Sequence, residues 1–127
     1  MVVEDASELV EALLIDGDAR APLAQSNLQA PELIDAELLS VLRRLVLAGR
    51  LPEQHALQAL ATSQQLGLRR HPSRHLWPRA WELRTNLPAY DALYVALAEQ
   101  LGATLLTADA RAARTPGLTC PVEVMAP

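Results

Sequence analysis

Four acidic residues stand at positions where their side chains could meet and do chemistry together. Asp5 and Asp109 each follow an apolar segment that predicts a strand and precede one that predicts a helix. This is the edge where open α/β sheets form their ligand-binding crevices. Glu37 and Asp91 each lie on the apolar face of a predicted helix, which directs both acids toward the core. The pattern therefore predicts that two strands and two helices bring four carboxylates to one end of a sheet.

A cluster of four carboxylates would need positive charge to hold it together. At a separation of about 6 Å and an effective dielectric constant of about 20, two carboxylates repel each other by about 3 kcal/mol. The cluster must therefore take up protons or bind cations, and hard carboxylate oxygens favour Mg²⁺ or Mn²⁺. Cations held in this way can bridge a phosphodiester and supply hydroxide from bound water near neutral pH.

Other catalytic chemistries find less support in the sequence. His55, His71 and His75 have no cysteine near them, so no zinc site with Cys/His spacing is present and surface or structural roles are expected for these histidines. The chain has no lysine, which argues against a phosphate-binding P-loop and against phosphoryl-transfer sites that pair a lysine with aspartates. No serine, cysteine or histidine is convincingly presented as a nucleophile.

Each candidate acid also has an ordinary structural explanation. Asp5 and Asp109 suit helix N-caps, which contribute about 1 kcal/mol each. Glu37 could reach solvent from the edge of its apolar stripe, and Asp91, three residues after Pro88, could simply complement the helix dipole. The joint placement of the four acids favours a common site over four separate explanations.

Two hydroxyl groups flank the strand-end acids. Ser7 lies two residues after Asp5, and Thr107 lies two residues before Asp109. At this spacing a hydroxyl can orient a ligand carboxylate or a metal-bound water. Ser7 could equally cap the first helix.

The composition indicates one soluble globular domain spanning residues 1–127. Half of the residues are hydrophobic, 20% are charged, and no apolar run reaches the roughly 18 residues needed to cross a bilayer. A single cysteine, Cys120, cannot form an internal disulfide and is expected to be a core or edge thiol, and the N-terminus lacks the features of a secretory signal. These features predict a cytoplasmic protein with no membrane partner.

Apolar periodicity predicts strands at both ends of the chain with helices between them. Gly17 and a polar stretch containing Pro22, Ser26 and Asn27 separate the first two helices. This arrangement predicts an α/β sandwich with a central, mostly parallel sheet, and no repeat or linker indicates a second domain. The predicted elements are a strand at 1–5, helices at about 7–15, 31–48 and 52–66, a strand or connection at 68–71, helices at 75–86 and 88–101, a strand at 103–107, a short helix after Asp109 and a last strand at 121–125.

Four segments of the chain resemble the VapC toxin branch of the PIN-domain ribonucleases. Each segment is short, but together their order and spacing cover nearly the whole chain. The segments are 3–7, 31–42, 89–98 and 105–109, which read VEDAS, PELIDAELLSVL, AYDALYVALA and LLTAD. The resemblance implies a PIN fold, here a three-layer α/β/α sandwich, and an endoribonuclease that depends on Mg²⁺ or Mn²⁺. It also implies a homodimer and a VapB-like antitoxin that inhibits the enzyme in a toxin–antitoxin pair.

The acids of the family's metal site correspond to the same four residues, Asp5, Glu37, Asp91 and Asp109. The chain departs from the family in two places. Glu4 is charged where the strand is usually apolar, and the residues after Asp109 offer no further acid of the kind that some relatives use. Asp35 is expected to face solvent, because it lies about 200° around the helix from Glu37.

Several basic and aromatic residues are candidates for partner contacts. Arg43 and Arg44 could serve RNA or the antitoxin. The densest basic stretch could contact RNA phosphates, and it consists of Arg69, Arg70, Arg74, Arg79 and Arg84 with His71 and His75. A solvated surface is the alternative for these arginines. Trp77 and Trp81, spaced i, i+4, are expected to pack in the core or in an interface rather than to stack on bases. The competing interpretation of the whole chain is a non-catalytic PIN-like module whose acids recruit a basic protein partner.

Overall fold

A computed structural model describes residues 1–14 and 27–125 of the chain. At its centre lies a five-stranded sheet in the order β3-β2-β1-β4-β5. The strands are β1 Val2–Glu4, β2 Leu28–Pro31, β3 Arg69–His71, β4 Thr104–Thr107 and β5 Val122–Val124. Every strand pairing in the described residues is parallel, which confirms the predicted α/β class.

Helices cover both faces of this sheet. The five α-helices of the described residues are α1 Ala6–Leu14, α2 Leu33–Leu47, α3 Glu53–Gln65, α4 Trp77–Glu82 and α5 Ala89–Leu101. Helices α1, α2 and α3 pack on one another, whereas α5 packs against β1, β2 and β4 and has α4 beside it. The result is the predicted three-layer α/β/α sandwich. Within the described ranges, no helix is both long and apolar enough to cross a membrane.

Strand β1 holds the middle of the sheet, because both of its edges are paired. Val3 lies opposite Leu105 of β4, and both side chains are buried, as expected for a parallel sheet covered on two faces. All strands run in the same direction. Asp5, directly after β1, and Asp109, two residues after β4, therefore lie at the same edge of the sheet.

Helix α5 places Asp91 near that edge. It begins after Pro88, whose missing N–H suits a helix start, and it ends at Gly102. The φ of Gly102 is 63°, a left-handed conformation that favours glycine at the end of a helix. The predicted helix at 88–101 is thus confirmed. Its buried side chains are Ala92, Tyr94, Val95, Ala96, Leu97 and Ala98.

Most other predicted elements are present, with boundaries shifted by one or two residues. The arginine-rich piece at 68–71, predicted as a strand or a connection, is strand β3. The short helix after Asp109 is a 3₁₀-helix, Ala110–Arg114. The helix predicted at 7–15 is α1, and the break predicted at Gly17 with the polar stretch through Ser26 falls outside the described residues.

The sequence does not predict β2. Leu28–Pro31 contains no β-branched or aromatic residue and ends in proline, so its own strand propensity is low. The segment is a strand because β1 and β3 pair with its two edges. The prediction of a helix from Pro31 is therefore wrong at its start: Pro31 lies opposite His71 in the sheet, and α2 begins at Leu33.

The helix predicted at 75–86 is shorter in the structure. A 3₁₀-helix, Arg74–Leu76, precedes α4, which ends at Glu82. The apolar side chains that this segment buries are Leu76 and Leu83, whereas Trp77 and Trp81 are 59% and 68% exposed. The prediction that the two tryptophans pack in the core is therefore wrong, and their packing in an interface stays a prediction.

Cys120 lies half-buried against the core, just before β5. Burial and the nearby carboxylate of Glu99 raise the pKa of its thiol. A thiol with a raised pKa is a poor nucleophile at neutral pH. The expectation of a core or edge thiol is confirmed.

Arg79 ties α4 to α5 and to the segment before β5. Its guanidinium donates to both carboxylate oxygens of Glu99, at 2.6 and 3.1 Å, and to the carbonyl of Gly117 at 2.7 Å. The carboxylate of Glu99 also accepts the N–H of Thr119 at 2.7 Å. Since the Glu99 side chain is only 9% exposed, Arg79 supplies the charge that this buried carboxylate requires.

Replacing Arg79 with methionine is expected to lower the free energy of unfolding by about 2 kcal/mol, because Glu99 would stay buried without a cation. The Arg79 side chain is 32% exposed, which places the effect below that of a fully buried pair. Urea denaturation measures it. The control is Arg43→Met on the exposed surface of α2, which should change stability by less than about 0.5 kcal/mol. Equal stabilities of the two variants would contradict the role of Arg79.

Candidate active site

A cavity opens at the carboxyl edge of the sheet and brings together three of the four predicted acids. Asp5, Asp91 and Asp109 line it, coming from the end of β1, the first turn of α5 and the segment after β4. Ser7 and Thr107 line the same cavity. Two strand ends and one helix start therefore converge, as the sequence predicts.

Asp5 serves both of the roles that its position allows. Its Oδ1 accepts the N–H of Glu8 at 3.0 Å, as an N-cap does, and the hydroxyl of Ser7 at 2.7 Å. Burial raises the pKa of Asp5, an effect that the hydroxyls of Thr107 and Ser7 and the Glu8 amide oppose and the charge of Asp109 reinforces. Capping and a place in the acid cluster thus coexist in one carboxylate.

Ser7 and Thr107 form a small hydroxyl network beneath the acids. Their oxygens lie 3.4 Å apart, and Ser7 Oγ accepts the backbone N–H of Ala108 at 3.2 Å. Thr107 Oγ1 accepts the N–H of Asp109 at 3.0 Å. The two hydroxyls therefore fix Asp5 and the turn after β4 relative to each other.

Asp91 of α5 and Glu37 of α2 are the two candidate acids that lie on helices. Burial raises the pKa of Asp91, and the charges of Asp5 and Asp109 raise it further, while Arg111 lowers it. Burial also raises the pKa of Glu37; its hydrogen bond from Tyr94 opposes the rise, and Asp91 and Asp5 reinforce it. The mutual repulsion predicted from the sequence is thus present.

Glu37 does not line the cavity of the three aspartates. It lies in a neighbouring groove with Arg44 and Tyr90, and Tyr94 stands between the two spaces. The hydroxyl of Tyr94 donates to Glu37 Oε1 at 2.6 Å, and Tyr94 also lines the aspartate cavity. Sequence periodicity places Tyr94 on the face of Asp91, three residues on, but gives no sign of this hydrogen bond.

Replacing Tyr94 with phenylalanine is expected to reduce turnover about tenfold, because Glu37 would lose the hydrogen bond that fixes its carboxylate. The fold should be retained, since the ring stays in place and only one hydroxyl is lost. Steady-state kinetics with circular dichroism as the folding check measures the change. Ser63→Ala, which removes a buried hydroxyl in α3 that donates to the carbonyl of Leu60, is the control, and an unchanged rate for Tyr94→Phe would remove Tyr94 from the site.

Asp109 differs from the other three acids. Arg111 donates to both of its oxygens, with Nε at 3.0 and 3.2 Å and Nη2 at 2.8 Å, and the Arg111 amide adds a bond to Oδ1 at 2.9 Å. These contacts hold the pKa of Asp109 below its usual range. The residue two positions along the chain therefore neutralises the fourth acid.

Two further glutamates lie buried beside the cluster. Glu4 and Glu8 are 0% and 1% exposed, and none of their four carboxylate oxygens has a hydrogen-bond partner in the described part of the chain. Burial, followed by the charges of Glu8 and Asp5, raises the pKa of Glu4 to about 9. Burial, followed by the charges of Asp5 and Glu11, raises the pKa of Glu8 to about 7. The sequence marks Glu4 as an unusual charge in a strand, whereas Glu8 reads as an ordinary acid in a helix.

The donor set suits a hard divalent cation. Among residues 1–14 and 27–125, no three Asp, Glu, His or Cys side chains stand close enough to hold a metal ion directly. The charge of Asp5 nevertheless raises the pKa of both Glu37 and Asp91, and that of Asp91 raises the pKa of Glu37, so a shared cation would relieve this repulsion. Mg²⁺ keeps several of its waters in protein sites, which suits such spaced carboxylates.

The candidate partner arginines lie on two surfaces. Arg43 and Arg44 are exposed on α2, and Arg44 lines the groove that contains Glu37. Arg69 is exposed on β3, whereas Arg70 is paired with Asp35 at 2.9 Å. Asp35 itself faces solvent, with its side chain 53% exposed, as predicted.

Comparison with known proteins places this geometry in a family. The sequence model of the PIN-domain family matches residues 2–118. Ribonuclease VapC9 of Mycobacterium tuberculosis is 46% identical over 125 residues, which cover 98% of both chains. Ribonuclease VapC1 of the same species is 42% identical over 128 residues, which cover 97% of this chain and 96% of VapC1.

Solved structures show the same fold at low sequence identity. VapBC2 from Rickettsia felis, bound to a DNA fragment from the promoter, superimposes with a TM-score of 0.71 at 18% identity and covers 98% of this chain and 99% of its own. The sarcin-ricin loop cleaving toxin VapC20 of Mycobacterium tuberculosis has a TM-score of 0.67 at 20% identity and covers 94% and 97% of the two chains. The family match over residues 2–118 and the identity of 46% over nearly the whole chain agree: this chain belongs to the PIN-domain family, among the VapC ribonucleases.

Proposed function

We propose that this chain is a divalent-cation-dependent endoribonuclease that acts as one PIN domain and as the toxin of a toxin–antitoxin pair. The observation that carries the proposal is the cavity at the carboxyl edge of the sheet that Asp5, Asp91 and Asp109 line together. The identity of 46% to a curated VapC ribonuclease supports RNA as the substrate.

Four acids would hold the ion. Asp5, Glu37, Asp91 and Asp109 are the proposed ligands of Mg²⁺ or Mn²⁺, whose chemistry is to polarise the scissile phosphodiester and to lower the pKa of a bound water. The pKa values of Asp5, Glu37 and Asp91 are raised, so a bound cation would favour the charged form of these three acids. Deprotonated, the same carboxylates can accept the proton of an attacking water.

The surrounding residues position the acids. Ser7 and the Glu8 amide fix one oxygen of Asp5, Tyr94 fixes one oxygen of Glu37, and Thr107 fixes the backbone of Asp109. The oxygens proposed to face the ion are the second ones, Asp5 Oδ2 and Glu37 Oε2. Preorganisation of this kind matters because misplacing a catalytic group by about 1 Å can slow a reaction a hundredfold.

We further place a homodimer, a VapB-like antitoxin and a cytoplasmic location in this proposal. Two of the structural neighbours are a VapBC2 assembly and a toxin–antitoxin complex from Klebsiella pneumoniae, which supports an antitoxin partner. A basic side chain of such a partner would meet the acid cluster. The exposed apolar side chains available to an interface include Leu39, Leu47, Trp77 and Trp81.

The proposal is tested with purified protein that is free of any partner. Single-stranded and structured RNAs should be cleaved internally with Mg²⁺ or Mn²⁺, and EDTA should abolish the cleavage. A phosphomonoester substrate separates this activity from that of a general phosphohydrolase and should remain intact. Cleavage of RNA that persists in EDTA would overturn the cation-dependent mechanism.

A further inference from the structure

The arginine next to the acid cluster has two possible anionic partners. Arg111 lines the cavity together with Asp5, Asp91 and Asp109, and it is the one cationic side chain among the described residues that does so. Its side chain is 84% exposed, while that of Asp109 is 36% exposed. The guanidinium therefore stands at the mouth of the cavity, in contact with both solvent and the acids.

The bond between Arg111 and Asp109 occupies the carboxylate that a cation would use. Nε and Nη2 of Arg111 together contact both oxygens of Asp109. A carboxylate that already accepts a two-pronged arginine has few lone pairs left for a metal ion. Arg111 and a divalent cation thus compete for Asp109.

Nothing buries this contact or makes it costly to break. Ion pairs between exposed side chains contribute little to stability because solvent screens them, and the side chain of Arg111, in the short 3₁₀-helix Ala110–Arg114, is 84% exposed where it lines the cavity. A guanidinium that loses a carboxylate partner next to a polyanionic substrate finds a second planar acceptor in a phosphate.

We propose that Arg111 is a phosphate ligand for the RNA backbone and that Asp109 holds its guanidinium until a divalent cation binds the Asp109 carboxylate. The inference rests on the proposed ribonuclease function. In the cation-free protein Arg111 donates to Asp109. When Asp109 turns to the cation, the guanidinium donates instead to a phosphate oxygen of the RNA beside the acid cluster. Cation binding and substrate binding are thereby coupled through one side chain.

Two binding measurements test this coupling in the full chain, with Arg111→Gln as the variant and Arg114→Gln as its matched control. Arg114 is exposed in the same 3₁₀-helix, and it has no hydrogen bond to Asp109 in the described residues. The first measurement is Mn²⁺ affinity without RNA. Arg111→Gln should bind Mn²⁺ about two- to fivefold more tightly, which is the effect of removing an exposed competing ion pair, and Arg114→Gln should change less.

The second measurement is affinity for a short single-stranded RNA with phosphorothioate linkages, in saturating Mg²⁺, a hard cation that pairs poorly with the sulfur and so disfavours cleavage. Arg111→Gln should bind it about tenfold more weakly, the loss of a charge-assisted hydrogen bond, with a salt dependence reduced by about one charge. Arg111→Lys should recover part of the affinity, because it keeps the charge and loses the two-pronged geometry.

The combination of tighter Mn²⁺ binding and weaker RNA binding is specific to the proposal. A structural role for Arg111 predicts weaker binding of both, and a surface role predicts no change in either; each result would overturn the inference. Cleavage is not needed for these measurements. Failure of the unmodified chain to cleave ordinary RNA would therefore count against the proposed function alone.

Discussion

Asp91→Asn is expected to slow RNA cleavage at least about a hundredfold while the protein unfolds at a higher temperature in metal-free buffer. Asparagine has nearly the same shape but no charge, so a cation ligand is lost, and a ligand to a catalytic ion is worth several kcal/mol in the transition state. In the wild type the charges of Asp5 and Asp109 repel that of Asp91 and raise its pKa. The substitution removes this repulsion. Function and stability should thus move in opposite directions.

Single-turnover cleavage and thermal denaturation in EDTA measure the two effects. Asp91 is a cleaner choice than Asp5, because Asp5 also caps α1 through the Glu8 amide and its loss would disturb the helix. The control is Asp35→Asn, the same chemical change at an exposed acid paired with Arg70, which should leave the cleavage rate within about twofold. Cleavage by Asp91→Asn at the wild-type rate would remove this residue from the reaction.

The wild-type protein is expected to lose stability as the pH rises from about 5 to about 9, and Glu4→Gln should remove most of that loss. An acid whose pKa is raised on folding binds its proton more tightly in the folded state. Its contribution is therefore fully present below the unfolded pKa of 4.5 and is lost progressively until the folded pKa, about 9 for Glu4, is passed. One such group lowers the free energy of unfolding by up to about 1.4 kcal/mol per pH unit.

Glu8, with its pKa raised to about 7, adds the same sign of dependence below neutral pH. Urea denaturation in EDTA at several pH values gives the slope. Glu4→Gln keeps the shape of the side chain and cannot ionise, so the variant should be more stable than wild type at pH 8 and nearly equal to it at pH 4.5. Glu123→Gln, at an exposed position in β5, is the control. Wild-type stability that increases from pH 5 to pH 8 would contradict the burial of a neutral Glu4.

Elements whose own residues show a clear periodicity and clear boundaries are predicted well from this sequence. Helix α5 has an apolar face, a proline before it and a glycine after it, and the structure keeps all three. Strand β2 has no such signal, because Leu28–Pro31 becomes a strand by pairing with two neighbours rather than by propensity. The prediction of core packing for the tryptophans is wrong for a related reason. The i, i+4 spacing places Trp77 and Trp81 on one face, but the buried side chains are Leu76 and Leu83.

The site follows the same division. Position relative to the strands and the helix start predicts that Asp5, Asp91 and Asp109 meet, since parallel topology puts those ends at one edge. The partners of the acids are not encoded by periodicity. Tyr94 reaches Glu37 across 57 positions of the chain, and the pairing of Arg111 with Asp109 depends on a side-chain rotamer. Burial of Glu4 depends on what packs over β1, which no local pattern records.

Titration of the metal-free protein with Mn²⁺ in a calorimeter, with Asp91→Asn as the paired sample, tests the central claim most directly. The claim is that the acids gathered at the carboxyl edge of the sheet exist to hold a divalent cation. Binding at millimolar or lower Mn²⁺, with marked weakening in Asp91→Asn, is the predicted result. A wild-type protein that binds no Mn²⁺ at millimolar concentration, or binds it equally well without the Asp91 carboxylate, would contradict the claim and favour a non-catalytic binding module.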